Sequence, residues 1–136
     1  MPICVFISGP YMGETHDYRS FCQIDTHINE ARKAAAWCAM HGIHFFCPHL
    51  HSAHFEVITP DVPAAFWYAL DLRFLPLCDG MLLLKGWQRS QGARREKDAM
   101  ARADDHDGIE RRPCFTLPRD CDAVVIWAKT FTDKEV

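Results

Sequence analysis

Ile3-Cys4-Val5-Phe6-Ile7-Ser8-Gly9-Pro10 runs five apolar residues into a serine, a glycine and a proline. A short continuous apolar run rich in β-branched residues reads as a strand buried on both faces, and its Ser-Gly-Pro end feeds a tight loop. The same pattern returns at Ile43–Cys47, at Met81–Lys85 after Asp79-Gly80, and more weakly near Cys114–Leu117.

Helical patterns fill the intervals. From about Tyr18 to His41, Phe21, Ile24, Ile28, Ala31, Ala35 and Cys38 recur at 3–4 spacing, with Asp17 placed to cap the start and Gly42 to stop the end. Asp61 and Pro63 mark a second helix start, running to about Leu75. Gly92–Ala103 is a third amphipathic helix, and Arg102–Arg112 reads as a solvated turn. Arg119–Phe131 fits helix or strand; Cys121, Val124, Val125 and Ala128 favour helix. Strands alternating with helices predict an α/β fold: a three-layer, Rossmann-like (flavodoxin-like) parallel sheet of four to five strands with helices on both faces. Ligands of such sheets bind at the carboxyl ends of the strands. The loops Ser8–Asp17, Pro48–Thr59 and Gly86–Gln91 start there.

The whole chain, 136 residues, suits one domain, and a domain this size buries about two-thirds of its unfolded surface without a disulfide or metal staple. A net charge of −3 argues against a broad basic surface for polymeric nucleic acid or an anionic membrane. The seven cysteines are scattered, form no C-x-x-C pair and mostly sit inside apolar runs, which points to reduced, buried thiols in a cytoplasmic protein. The run Ile3–Ile7 is too short for a signal peptide, and no stretch approaches the roughly 20 apolar residues of a membrane span.

On the third helix, Ala93, Glu96, Met100 and Ala103 form one stripe, so Glu96 is the one charge on an apolar face. A glutamate near a helix start is also ordinary dipole chemistry, and the dipole would help keep this one ionised. An inward carboxylate must nonetheless line a cavity or pay a desolvation penalty. On the second helix, Phe66, Ala69, Leu70 and Phe74 give one apolar stripe, with Trp67, Asp71 and Leu75 beside it. Apolar neighbours four residues either side raise a carboxyl pKa and favour a proton donor, although a surface aspartate paired with a base is the common alternative. Gly86 to Ala93 is a glycine-bearing strand-to-helix turn; Ser90 and the free amides there cap the helix, hold an anion, or both. His49, His51 and His54 read as a pocket wall or surface loop, with metal binding as a further option.

Three elements together resemble a known family. They are Ile7-Ser8-Gly9-Pro10-Tyr11-Met12-Gly13, then Trp67-x-x-x-Asp71 with Cys78-Asp79, then Gly86-Trp87-x-x-Ser90-x-Gly92-Ala93-x-x-Glu96. The set resembles the nucleoside 2-deoxyribosyltransferase superfamily, in particular its small bacterial and phage members, and is similar to the 2′-deoxynucleoside 5′-phosphate N-hydrolases. It covers roughly residues 3–117, and S-x-G-x-x-x-E is its most specific part.

The resemblance implies an enzyme in which Glu96 is the nucleophile, Asp71 assists protonation of the leaving base, and Tyr11 orients the nucleophile or the sugar. It implies a covalent glycosyl-enzyme released by water or by a second base, with no cofactor and no metal. The nucleotide hydrolases carry a serine at the Ser90 position that contacts a 5′-phosphate, whereas the transferases often carry a carboxylate. Ser90 and Gly92, with Ser8, Gly9 and Arg19 as further donors, would then hold the substrate, a small nucleoside or nucleotide. A homo-oligomer, dimer or higher, is expected on the same basis.

Overall fold

The computed structural model describes residues 2–12, 18–107 and 112–134, apart from the side chains at 18–19, 103–107 and 131–134. Its elements are β1 (Cys4–Ser8), α1 (Tyr18–Met40), β2 (His44–Phe46), α2 (Pro48–His51), α3 (Phe55–Ile58), α4 (Ala64–Phe74), β3 (Gly80–Leu83), α5 (Gln91–Asp107), β4 (Cys114–Thr116) and α6 (Cys121–Lys134). The four strands form one parallel sheet in the order β2-β1-β3-β4.

Period-two alternation divides the apolar residues between two layers. Val5, Ile7 and Leu82 pack with Ala31, Ala34, Ala35 and Cys38 of α1 and Val124 of α6. Phe6, Met81 and Leu83 point the other way, onto Leu75, Cys78 and Met100, with Leu72 against them. The expected doubly covered parallel sheet is therefore present, with α1 and α6 on one face and α4 and α5 on the other. Ser8 has the parity of Phe6, so it faces the α4/α5 layer at the carboxyl end of β1. The chain leaves β1 for β2 on one side and returns to β3 on the other. The switch point therefore lies between the carboxyl ends of β1 and β3, where a crevice opens.

Gly42 ends α1 with φ +68. Gly42 N–H donates to Ala39 O at 3.2 Å and Ile43 N–H to Cys38 O at 2.9 Å, a Schellman closure whose Ile43 and Cys38 share the core. The expected N-cap, Asp17, lies outside the described residues.

Several expectations need correction. Composition points to a loop at Pro48–Thr59, but the segment winds into α2 and α3; Pro48 at the first helical position pre-sets the turn. On α4 the predicted stripe is split: Phe66, 52% exposed, and Ala69 face outward, while Leu70 and Phe74 are half-buried, Phe74 stacking on Phe46 of β2, because the helix seats its Leu72 and Leu75 side on the sheet. Arg102–Arg112 is not all turn, since α5 continues to Asp107. Cys22, on the outer side of α1, and Cys114, on edge strand β4, are exposed, whereas Cys38, Cys47 and Cys78 are buried. At the C-terminal end, helix wins over strand. Among the described residues no helix is long and apolar enough to cross a membrane.

Gly9 has a steric reason. A Cβ there would stand 2.7 Å from Leu84 Cβ, an atom fixed to the neighbouring backbone. At Gly92 a Cβ would meet nothing nearer than Ser90 Oγ at 3.9 Å. Gly9→Ala is thus expected to destabilise by about 1–3 kcal/mol, whereas Gly92→Ala, in the first turn of α5 with room for a Cβ, is expected to be neutral or to stabilise by up to about 1 kcal/mol. Denaturant unfolding checks the pair; equal midpoints for the two variants would contradict the packing assigned to Gly9.

Candidate active site

The crevice at the switch point is a cavity of ≈ 1020 Å³, ample for a nucleotide-sized molecule. Gly9 to Met12 after β1 and Lys85-Gly86 after β3 contribute to its walls, α4 gives Trp67, Tyr68 and Asp71, and the start of α5 gives Ser90 to Ala93, Arg95 and Glu96. The three sequence-distant elements singled out by pattern thus converge on one space.

Glu96 sits on the inner stripe of α5 between Ala93 and Met100, both buried, and is itself 7% exposed. Ala103, the fourth stripe position, has its side chain outside the described residues. Ser8, fully buried, donates its hydroxyl to Glu96 Oε1 at 2.9 Å. The expectation groups Ser8 with the ligand donors; its hydroxyl instead orients Glu96. Burial pushes the Glu96 carboxyl up to about 8; the Ser8 bond opposes this and the nearby Asp71 charge adds to it. The helix dipole does not keep Glu96 ionised as expected, because α5 starts at Gln91 and Glu96 lies in the second turn, where the dipole has faded.

Asp71 behaves as its neighbours predict: burial raises its carboxyl to about 7. Its Oδ1 is buried without a hydrogen-bond partner. Two carboxyls therefore face one cavity, both held well above the ordinary carboxylate range by the lack of water.

Ser90 caps α5. Its Oγ accepts from Ala93 N–H at 3.2 Å, and its carbonyl accepts from Arg94 N–H at 3.0 Å. That bond does not use the hydroxyl hydrogen, and the first-turn amides of Gln91 and Gly92 have no intrahelical acceptor. Gly86, at φ +88, makes the turn that aims this helix start at the cavity. Lys85, Arg89 and Arg95 add positive charge to the same wall. Position was the available signal for them: Lys85 ends the third apolar run, and Arg95 precedes Glu96.

Tyr11 lies in the cavity wall, but its hydroxyl is engaged with other groups than Glu96. It donates to Glu56 Oε2 at 2.7 Å and accepts from His54 N–H at 2.8 Å. Burial and the Glu56 bond raise the phenol well above its usual range. The three histidines diverge. His49 donates from Nε2 to Pro10 O, the His51 ring packs on Phe46 and Phe74, and His54 lies between Asp25 and Glu56. The Arg19 side chain lies outside the described residues.

Residues 3–107 match the family model described as a domain of unknown function, DUF1937. The chain belongs to that family. No curated protein matches the chain. The DUF1937 region spans β1 through α5, so it holds every wall of the cavity; β4 and α6 lie beyond it.

The raised carboxyls give this DUF1937 domain a pH-dependent stability. Folded Glu96 and Asp71 hold protons that the unfolded chain releases at lower pH, so their stabilisation is complete below the ordinary carboxylate range and is lost as pH rises through about 7 and about 8. Glu96→Gln keeps the shape and removes the ionisation. Its stability relative to wild type should improve by roughly a few kcal/mol between pH about 5 and about 9. Thermal unfolding at both pH values checks this; a variant equally destabilised at each would show that the carboxylate itself supports the fold.

Proposed function

We propose that the protein cleaves or transfers the N-glycosidic bond of a 2′-deoxynucleoside or its 5′-monophosphate through a covalent glycosyl-Glu96 intermediate. The observation that carries this is the meeting of Glu96, hydrogen-bonded by Ser8, with Asp71 in one cavity at the switch point. The resemblance of the S-x-G-x-x-x-E element supports it.

In the proposed reaction a Glu96 carboxylate oxygen attacks the anomeric carbon as the carbon–nitrogen bond breaks. The bond's electron pair leaves with the base, which takes a proton from Asp71. Water, giving its proton to the Asp71 carboxylate left by the first step, or a second base then attacks the anomeric carbon of the glycosyl ester, and the Glu96 carboxylate leaves. This is the chemistry of a retaining glycosidase, in which one carboxyl is ionised and the other carries a proton. A 2-deoxy sugar has no electron-withdrawing 2-hydroxyl, so its oxocarbenium-like transition state forms more readily. Ser8 supplies the one hydrogen bond that favours charge on Glu96, and the unpartnered Asp71 oxygen favours a proton there.

The cap serine, the bare Gly92 and the cations Lys85, Arg89 and Arg95 support a 5′-phosphate at the start of α5, and with it hydrolysis over transfer. Exposed Val57, Ile58, Phe66 and Leu77 support a homo-oligomer, and free cysteines support a reducing, cytoplasmic setting.

Incubation with a panel of deoxynucleosides and their 5′-monophosphates, with and without an acceptor base, tests the proposal. Free base should appear, and Glu96→Ala should lower its release by about a thousandfold or more. Asp71→Asn should cost about 10²–10⁴-fold. Binding without release from any of these compounds would overturn the proposal in favour of a non-catalytic nucleotide-binding or sensor module.

The active form holds one proton between the two carboxyls. kcat/KM should therefore be bell-shaped, with its maximum between about 7 and about 8, the values to which burial raises Asp71 and Glu96. Below this window both carboxyls are protonated and no nucleophile remains; above it both are ionised and the acid is lost. Within it the proton sits mainly on Glu96, and the productive form, Glu96 ionised with Asp71 protonated, is the smaller of the two one-proton populations. A profile flat from pH about 5 to about 9 would contradict the role of the pair.

A further inference from the structure

The histidine-bearing segment Pro48–Glu56 is assigned no chemistry by the reaction above, yet the hydrogen bonds made by His49, His54 and Glu56 share one target. That target is the loop after Ser8. His49 donates from Nε2 to Pro10 O at 2.7 Å, and the Tyr11 ring meets the His49 ring edge-on at 5.2 Å. Burial lowers the His49 pKa, so the ring is neutral; with its proton on Nε2, the buried Nδ1 has no partner. His54 donates its backbone N–H to the Tyr11 hydroxyl, and that hydroxyl donates to Glu56 Oε2. From α1, His27 Nδ1 donates to Tyr11 O at 2.9 Å.

His54 makes its contact from a left-handed backbone, φ 62, which costs a non-glycine residue energy. Its ring stacks on Phe21 of α1 at 5.1 Å. Glu56 has one oxygen satisfied by Tyr11, while the other is buried without a hydrogen bond, 3.8 Å from His54 Nδ1. A carboxylate held this way loses its one strong partner if Tyr11 moves, so the pair stays together. Gly9, between Ser8 and this anchored stretch, is itself pinned against Leu84.

We infer that Glu56 is a positioning residue: through Tyr11 it fixes the loop that follows Ser8, and the Pro48–Glu56 segment is the anchor of that loop. Glu56 lines the same cavity, with its carboxylate committed to the Tyr11 hydroxyl. It sets where the wall of the cavity stands relative to Glu96. The kinetic consequence rests on the reading of the site as glycosidic; the anchoring does not.

Glu56→Ala, Tyr11→Phe, their double variant and Glu56→Gln test it by two readouts. The first is hydrogen–deuterium exchange of the peptide carrying Gly9–Met12. Glu56→Ala and Tyr11→Phe should each speed its uptake, with the Cys4–Ile7 strand unchanged. Tyr11→Phe cuts the same bond from the other side and decides the matter should Glu56→Ala fail to fold. The second is base release. Each single variant should lower kcat about ten- to hundredfold with KM changed less than about threefold, as misplacement of a site does. The double variant should be no slower than the slower single, and Glu56→Gln, which keeps an acceptor oxygen, should recover most of the loss. Unchanged exchange in both single variants, or kcat losses that multiply in the double, would overturn the inference. Absence of base release by the wild type would sink the glycosidic reading alone, and the exchange result would still decide the anchor.

Discussion

A carboxyl buried at the carboxyl edge of a parallel sheet is the constraint around which this fold is arranged. Glu96 faces inward because the stripe it shares with Ala93 and Met100 is the one that seats α5 on β1 and β3. Once there, it is removed from water and has one hydroxyl donor, Ser8. That hydroxyl is in reach because Ser8 shares the parity of Phe6 along β1. Strand register and helix phase thus meet in a single 2.9 Å bond. Its energetic signature is a carboxyl that binds a proton far more tightly than it would in water. A fold selected for stability alone would have little use for such a group, because apolar packing of the same volume is commonly as stable or more so.

In the proposed reaction a second carboxyl gives this cost a use. Asp71 comes from a different element and is raised by burial too, yet it lacks any donor to its buried oxygen. One acid has a hydrogen bond to favour its anion and the other has none. This asymmetry offsets part of the deeper burial of Glu96, whose carboxyl is still held above that of Asp71, and in the proposed reaction it keeps the two close enough to share one proton. Beside them the start of α5 offers the Ser90 hydroxyl and amides without an intrahelical acceptor, and Gly92 leaves the space next to Ser90 open.

Much of the fold was legible because parallel sheets write themselves plainly. The apolar runs at Ile3–Ser8 and Met81–Lys85 are continuous since both faces are covered, and Gly42 ends α1 where a left-handed residue is needed. Local pattern failed where tertiary seating decides. Phe66 and Ala69 look like a buried stripe, but α4 is held by Leu72 and Leu75, one step around the helix. The helical winding of Pro48–Thr59 was hidden by its histidines, whose partners lie in the Pro10–Tyr11 stretch, on α1 and, for His51, at Phe46 and Phe74. In the site, Glu96, Asp71 and Ser90 were legible from spacing, because each occupies a fixed helical position. The partners of Ser8 and Tyr11 were not: a hydroxyl's acceptor depends on which distant side chain arrives beside it, and Glu56 arrives from 45 residues away.

Mass spectrometry of protein quenched during turnover reads the central claim at the atom that carries it. With Asp71→Asn slowing release, a 2-deoxyribosyl group esterified to the peptide containing Glu96, absent from Glu96→Gln, is the expected result. A sugar adduct on any other residue, or base release with full activity in Glu96→Gln, would contradict it.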